Sequence, residues 1–368
     1  MRNKVKLETL SSVHVGSGDK KVLGIDFLYT PNRIYFLDTL RIGEALNITS
    51  NPKIAAEWSK CVLAGKQEVF FVEHNVDYRK FSRSVVNYVD EFSDSAPSIS
   101  MMMRDGRGIA YIPGSSIKGA IRTAIFAQLS KNEIDNAYVR AKNEADQEPN
   151  RRKAKRIEEN SLKAWANNFF GKISNDSFRF LRVGDAFFDN PDDLAVINTA
   201  QIKKSRTNPR LTEIDNIKQY AEVLLKFSES TFFIDLDSKE YTELFKNGSI
   251  SREVPQFKDI KSLFKLINEH TIELLQSEIN IWKEIDGAEL MCKSLALVSQ
   301  EINECSENEC VLRLGNGSGK RFITGGILEN IDFDPEPIPK TRRFEEYVED
   351  GGKYHGLLGF VKLTLIED

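Results

Sequence analysis

The sequence predicts an α+β fold of split sheets with helices on one face. Three observations predict it: short segments alternate apolar and polar side chains at period two, longer stretches repeat them at the helical period, and the two kinds intermix without a β-α-β rhythm or an internal repeat. At 368 residues the chain is about twice an ordinary domain, so two domains or one large insert-rich domain are expected. Hydrophobic residues at 40% and charged residues at 29% are a globular mixture.

In chain order, Val5–Leu10 alternates as a strand and runs into the glycine loop of His14-Val15-Gly16-Ser17-Gly18. Ile34–Leu37 is a second strand, after which Asp38 or Thr39 caps a helix to Leu46. Pro52 suits the first turn of another helix, in which Ala55, Trp58, Cys61 and Val62 face the core. Val69–Val72 reads as a strand with His74 just beyond it, and residues 84–110 are less regular, with loop chemistry at Ser93–Ser98 before Met101–Met103. Ile117, Ile121, Ala124, Ile125 and Leu129 form a helical stripe with Ser115 or Ser116 as its N-cap. Residues 133–168 are polar and read as an exposed helical hairpin or a partly mobile insertion, broken at Pro149-Asn150 and followed by a basic run at Arg151–Arg156. Strands return at Val183–Phe188, Leu194–Ile197 and Thr231–Leu236; Ile260 to Trp282 is a long amphipathic helix, and Leu357–Ile366 closes the sequence as a core strand. The division expected is 1–190, with the charged insertion at about 131–170, and 191–368.

Composition excludes several function classes. A net charge of −4 leaves no global attraction to nucleic acid or anionic lipid, so any basic surface is local. No apolar run suits a signal peptide or a membrane span, which predicts a cytoplasmic protein with no membrane partner. Four sparse cysteines with no Cys-x-x-Cys spacing give neither a disulfide framework nor a zinc knuckle, and no metal or cofactor is expected.

Three segments could hold a phosphate chain. Gly16, Ser17 and Gly18 can expose backbone N–H groups beside Lys20 and Lys21, although a hairpin turn would use the same residues. In Ile112–Arg122, a helix start at Ser115 and Ser116 offers unpaired N–H groups and a positive dipole end, with Lys118 and Arg122 one turn apart; the same residues could be a plain cap and a wet helix face. The third is the loop of Gly315, Gly317 and Gly319 (residues 315–319), flanked by Arg313, Lys320 and Arg321. Its spacing fails both the Walker A pattern and the dinucleotide fingerprint, which leaves a pliable backbone suited to a sugar-phosphate chain, or a plain surface loop.

Catalytic groups are few. Metal-independent RNA cleavage needs an acid and a base near neutral pH, and only His14, His74, His270 and His355 could serve. His14, beside the first glycine loop, is either a base or a hydrogen-bonding residue that shapes the loop.

Together these segments resemble the RAMP (repeat-associated mysterious protein) superfamily of CRISPR effector complexes. The likeness runs from His14–Gly18 through Ile112–Arg122 to Leu314–Gly319 and ends at Gly359–Leu363. Length, motif order and ending are most similar to the fifth-subunit family of type III-A Csm complexes. The resemblance implies two ferredoxin-like (RRM-like) domains with helical insertions and a non-catalytic subunit that caps the 3′, tag-distal end of the complex. Its partners would be CRISPR RNA, target RNA indirectly, the backbone and small subunits, and host nucleases that trim the guide. His14, Gly16, Ser17, Gly18, Lys20, Ser115, Ser116, Lys118, Arg122, Arg313, Gly315, Gly317, Gly319, Lys320 and Arg321 would then follow the RNA. Lys320-Arg321 departs from the apolar or aromatic residues expected there. The alternatives are a precursor-RNA endoribonuclease using His14, a cap or backbone subunit of the related Cmr complex, and a scaffold that makes only protein contacts.

Overall fold

The computed structural model describes residues 2–88, 98–172, 174–204, 211–213, 219–250, 252–319, 322, 341–349 and 352–366. The chain begins with β1 (Arg2–Thr9), β2 (Gly16–Val22), β3 (Phe27–Thr30) and β4 (Arg33–Leu37), then α1 (Thr39–Ala45), α2 (Pro52–Leu63) and α3 (Gln67–Glu73). It continues through β5 (Ser82–Tyr88), β6 (Ser98–Met102), β7 (Ala110–Ile112), α4 (Gly114–Ser130), α5 (Ile134–Ala145) and α6 (Arg151–Asn168). Six strands follow: β8 (Leu181–Val183), β9 (Ala186–Phe188), β10 (Leu194–Lys204), β11 (Leu211–Glu213), β12 (Gln219–Leu224) and β13 (Glu229–Leu236). The last elements are α7 (Ser238–Lys246), α8 (Ile260–Trp282), α9 (Glu289–Glu304), β14 (Glu309–Arg313), β15 (Thr341–Glu349), β16 (Gly352–Leu357) and β17 (Phe360–Ile366).

The first sheet has the order β14-β17-β1-β13-β8, antiparallel throughout. Without the edge strand β14, its four strands run fourth-first-third-second in chain order, with α4 between the first pair and α8 between the last. That is the ferredoxin-like β-α-β-β-α-β arrangement, with the remaining elements as insertions. Alternation explains its buried face: Val5, Leu7, Phe232, Ile234 and Leu363 pack with Ile117, Ile121 and Ile125 of α4 and Leu263, Phe264 and Ile267 of α8. Each such side chain contributes about 1.5–3 kcal/mol by leaving water. Helix α8 also closes the edge at β14. The Asn268 amide donates to Glu309 O (2.9 Å) and accepts from Val311 N (2.9 Å), standing in for a neighbouring strand.

The second sheet follows the path β2-β6-β12-β10-β5-β4-β3, with β11 and the β15–β16 hairpin joined at β10, while β7 and β9 form a separate ribbon. Strands β12 and β6 pair in parallel, as do β10 and β5, so each returns only after a long excursion. Both sheets take strands from both halves of the chain, and the boundary expected at residue 190 runs through each of them: β1 lies between β13 and β17.

Most predicted elements are present, and the differences have local causes. Asp38 caps α1 and Asn51 caps α2, with Pro52 in its first turn. The charged insertion is the hairpin of α5 and α6, held by Ala137, Ala141 and Leu162, with Asn150 as N-cap of α6. Val69–Val72 belongs to α3 rather than a strand, because the Phe70 and Phe71 rings pack on Trp58 at 5.1 and 5.6 Å. Met101 and Met102 lie in β6 and are buried. The closing segment is two strands, turned at Leu358-Gly359, where Gly359 has φ +99°.

Candidate nucleic-acid interface

The first and third glycine segments meet. Asn316 N donates to His14 O (2.7 Å), and Gly315 lies so close that an added Cβ would sit 2.6 Å from the same oxygen. Gly359 completes the junction: its N–H donates to Ser12 O (2.9 Å) and its carbonyl accepts from Leu314 N (2.9 Å). A Cβ on Gly359 would overlap Leu314 O, and φ values of +82° at Gly315 and +87° at Gly317 favour glycine there as well. The glycines thus let three distant stretches of main chain pack directly on one another.

Gly16, Ser17 and Gly18 are not a turn ending β1 but the exposed start of β2, the outermost strand of its sheet path. The register slips between Gly16 and Lys20, a bulge that spreads the strand and presents Gly16 to Asp19 to solvent. Ser17 Oγ donates to Met101 O (3.3 Å) and accepts from Asp19 N (3.2 Å), and Lys20 is exposed on the same strand.

Below this strand lies a buried polar cluster. His14 is 2% exposed, and its Nδ1–H donates to Glu222 O (2.6 Å), which leaves Nε2 against Gly16. Burial pulls the His14 pKa down and favours the neutral ring. The Glu222 carboxylate is fully buried, pairs with the Arg104 guanidinium and accepts from Met102 N (3.1 Å). Two further bonds extend the row: Met103 N donates to Val15 O (2.8 Å) and Tyr111 N to Met103 O (3.1 Å). One hydrogen-bonded line therefore crosses from Asn316 through His14-Val15 and Met103 to Tyr111, two residues before Pro113.

At the start of α4 the expected serine cap is absent. Pro113 occupies the N-cap position without a side-chain bond, and Gly114 N donates to Asp185 Oδ1 (2.7 Å). Gly114 packs against the backbone of Val183 and Gly184, so no larger residue fits. Ser115 is exposed and Ser116 half-buried in the first turn. Burial lowers the Lys118 pKa, with the nearby charges of Arg122 and Arg182 acting in the same direction and Asp176 opposing them. Arg122 bonds both oxygens of Asp176 (2.9 and 3.1 Å) and lies 4.8 Å from the Phe170 ring and 4.9 Å from the Phe178 ring.

Two expected contacts are thus engaged by the protein itself, Arg122 half-buried and Arg313 buried. Arg313 is 5% exposed; its guanidinium donates to Leu358 O (2.8 Å) and Gly317 O (3.0 Å) and lies 4.8 Å from each of the Phe322 and Phe360 rings. It fastens the glycine loop to the 358–359 turn, just as Arg122 fastens α4 to Asp176. Lys320 and Arg321 lie outside the described residues. Sequence reasoning did not single out Arg104, Glu222 and Asn316. Asn316, between two glycines, was open to a sequence reader, whereas the partnership of Arg104 with Glu222 depends on a parallel strand pairing that no local pattern announces.

The other histidines are dispersed. His270 is buried in α8 with its pKa lowered to about 4 by burial, His74 bonds Glu57 Oε2 (3.1 Å), and His355 packs on Phe344 with ring centroids 4.5 Å apart. Among the described residues no three His, Cys, Asp or Glu side chains are grouped to hold a metal, and no helix is long and apolar enough to cross a membrane.

Comparison with known proteins agrees with this architecture. The chain is 25% identical over 276 residues, 71% of either chain, to a protein described as CRISPR system Cms protein Csm5 from Streptococcus thermophilus. The crystal structure of T. onnurineus Csm5 superposes with a TM-score of 0.66 at 20% identity, covering 97% of this chain and 99% of that one. A chain of a cryo-EM structure of a type III-A Csm-crRNA-target RNA ternary complex gives 0.68 at 20% identity over the full length of both. The resemblance to fifth subunits read from the motifs is borne out by these likenesses. The RAMP superfamily profile matches residues 6–322, and the chain belongs to that superfamily.

Proposed function

We propose that this chain is the fifth-subunit type of RAMP protein in a cytoplasmic type III-A Csm complex, where it binds CRISPR RNA without cutting it. It would cap the tag-distal end, hold the 3′ part of the guide and support maturation of the guide's 3′ end, with host nucleases doing the trimming. The observation that carries this reading is the junction of two glycine segments from opposite ends of the chain, Asn316 N on His14 O, beside the exposed glycine backbone of β2. A sugar-phosphate chain can approach such a surface closely at Gly16 and Gly18, which carry no side chain.

In this reading Gly16, Ser17, Gly18 and Lys20 touch the RNA directly, Ser115, Ser116 and Lys118 lie along its path, and Gly315, Gly317 and Gly319 shape the junction. His14, Arg122 and Arg313 act from beneath by fixing the backbone. The endoribonuclease alternative gains no support from His14, whose ring is buried, bonded to a backbone carbonyl and held towards its neutral form.

Coexpression with the remaining subunits and sequencing of the bound RNA ends tests the proposal. Loss of this chain is expected to leave guides with unprocessed 3′ ends; mature guides of normal length would reject the maturation role. Independently, the wild-type chain is expected to bind single-stranded RNA with little sequence preference and with an affinity that falls as salt rises. Salt-independent binding would reject the phosphate track.

A further inference from the structure

The hydrogen-bonded row that starts at the glycine junction does not stop at Tyr111. In the β7–β9 ribbon Tyr111 is the direct cross-strand partner of Phe187, and their rings stack with centroids 5.3 Å apart and planes inclined by 27°. Their neighbours Ala110, Ile112, Ala186 and Phe188 are buried in the main core, so alternation turns Tyr111 and Phe187 to the opposite side. Phe187 remains 41% exposed there. The inner side chains already anchor the ribbon, which leaves the outer, stacked pair with ring surface open to contact.

Resting on the RNA-binding reading above, we propose that the Tyr111–Phe187 pair is a stacking platform for one unpaired nucleobase of the bound single-stranded RNA. Two adjoining strand spacings, from Val15 to Met103 and from Met103 to Tyr111, separate the platform from the first glycine segment, a distance of about 10 Å. A nucleic-acid strand whose backbone lies on Gly16–Gly18 can therefore turn a base onto these rings. The platform is sequence-tolerant, since every base offers a π face, and it adds an apolar contribution to a protein with no basic excess.

The test compares binding of an oligouridine with binding of the same strand carrying one abasic position, scanned along its length. With the wild-type chain, one abasic position is expected to weaken binding roughly 5- to 100-fold. In Phe187→Leu, which keeps an apolar side chain but removes the ring, that penalty disappears while the salt dependence of binding is unchanged. Phe187→Trp restores the penalty, and its fluorescence is quenched by the intact oligonucleotide. An abasic penalty of the same size in wild type and Phe187→Leu overturns the platform but leaves the RNA-binding role standing, and would assign the rings to contact with a neighbouring protein subunit. A wild-type chain that binds neither strand overturns the RNA-binding role itself and the platform with it.

Discussion

The glycine junction and the start of α4 have similar sequences, small residues beside basic ones, yet they treat their backbone N–H groups in opposite ways. At α4 the first N–H is already taken by a carboxylate, Asp185 on Gly114, and the nearby Arg122 is paired with Asp176. Protein acids there occupy the position an incoming phosphate would want. At the junction the close contacts are backbone to backbone, and the exposed strand of Gly16 to Asp19 is left facing water. The helix dipole is therefore the weaker argument for a phosphate site here, and the bulged edge strand the stronger.

Four changes would break or sharpen that contrast. The largest effect is expected from Arg104→Ala, which leaves the fully buried Glu222 carboxylate without its guanidinium beneath β2; the cost is about 3–5 kcal/mol, read from denaturant midpoints. If Arg122→Ala costs as much, the two regions are not differently built, because the Arg122–Asp176 pair is only partly buried.

Acid is expected to act next. His270 is buried near the end of α4 and His14 beneath the junction, and both have folded pKa values below the ordinary 6.5. Below pH 6.5 the unfolded chain takes up protons that the folded chain refuses, so stability present above that pH is lost as pH falls towards the folded value. For His270, with a folded pKa of about 4, the loss amounts to about 3 kcal/mol, and His270→Leu should flatten the stability profile across that window. Loss of stability on the alkaline side of neutrality in its place would contradict burial as the cause.

Glycine replacements separate tight positions from open ones by sign. Gly359→Ala is expected to destabilise by about 2–3 kcal/mol, from positive φ and overlap with Leu314 O. Gly119→Ala, in α4 with open space around it, should stabilise by roughly 0.5–1 kcal/mol. The smallest effect is reserved for Lys20→Ala. It should leave the thermal midpoint unchanged while lowering the log–log salt slope of RNA binding by about 1, and an equal change in slope from the neutral replacement Arg313→Gln would show that the buried guanidinium reaches the RNA after all.

Much of this molecule was legible residue by residue. The stripe of Ile117, Ile121, Ala124, Ile125 and Leu129 is α4, and Asp38, Asn51 and Asn150 mark helix starts as their side chains suggest. Short apolar runs were less informative, because four residues such as Val69–Val72 fit either period and only the Trp58 ring decides for a helix. Strands β6 and β12 escaped notice: they meet each other by parallel pairing across more than 100 residues of chain, beside their antiparallel partners β2 and β10, and no local pattern announces that meeting. The site divides in the same way. That Gly16, Gly315 and Gly359 need to be glycine follows from their surroundings, but that Arg313 faces inward depends on Phe322 and Phe360 closing over it, which no spacing along the sequence reveals.

The place of β1 also bears on how the molecule is made. Leu7 pairs with Leu363 on one side and with Ser230 on the other, so β1 acquires one of its neighbours only after the chain as far as β17 has been made. Until then its flank is an open template for other strands, and pairing this non-local favours capture by chaperones or early association with a companion subunit. Removal of β17 is expected to yield insoluble protein rather than a trimmed, working one.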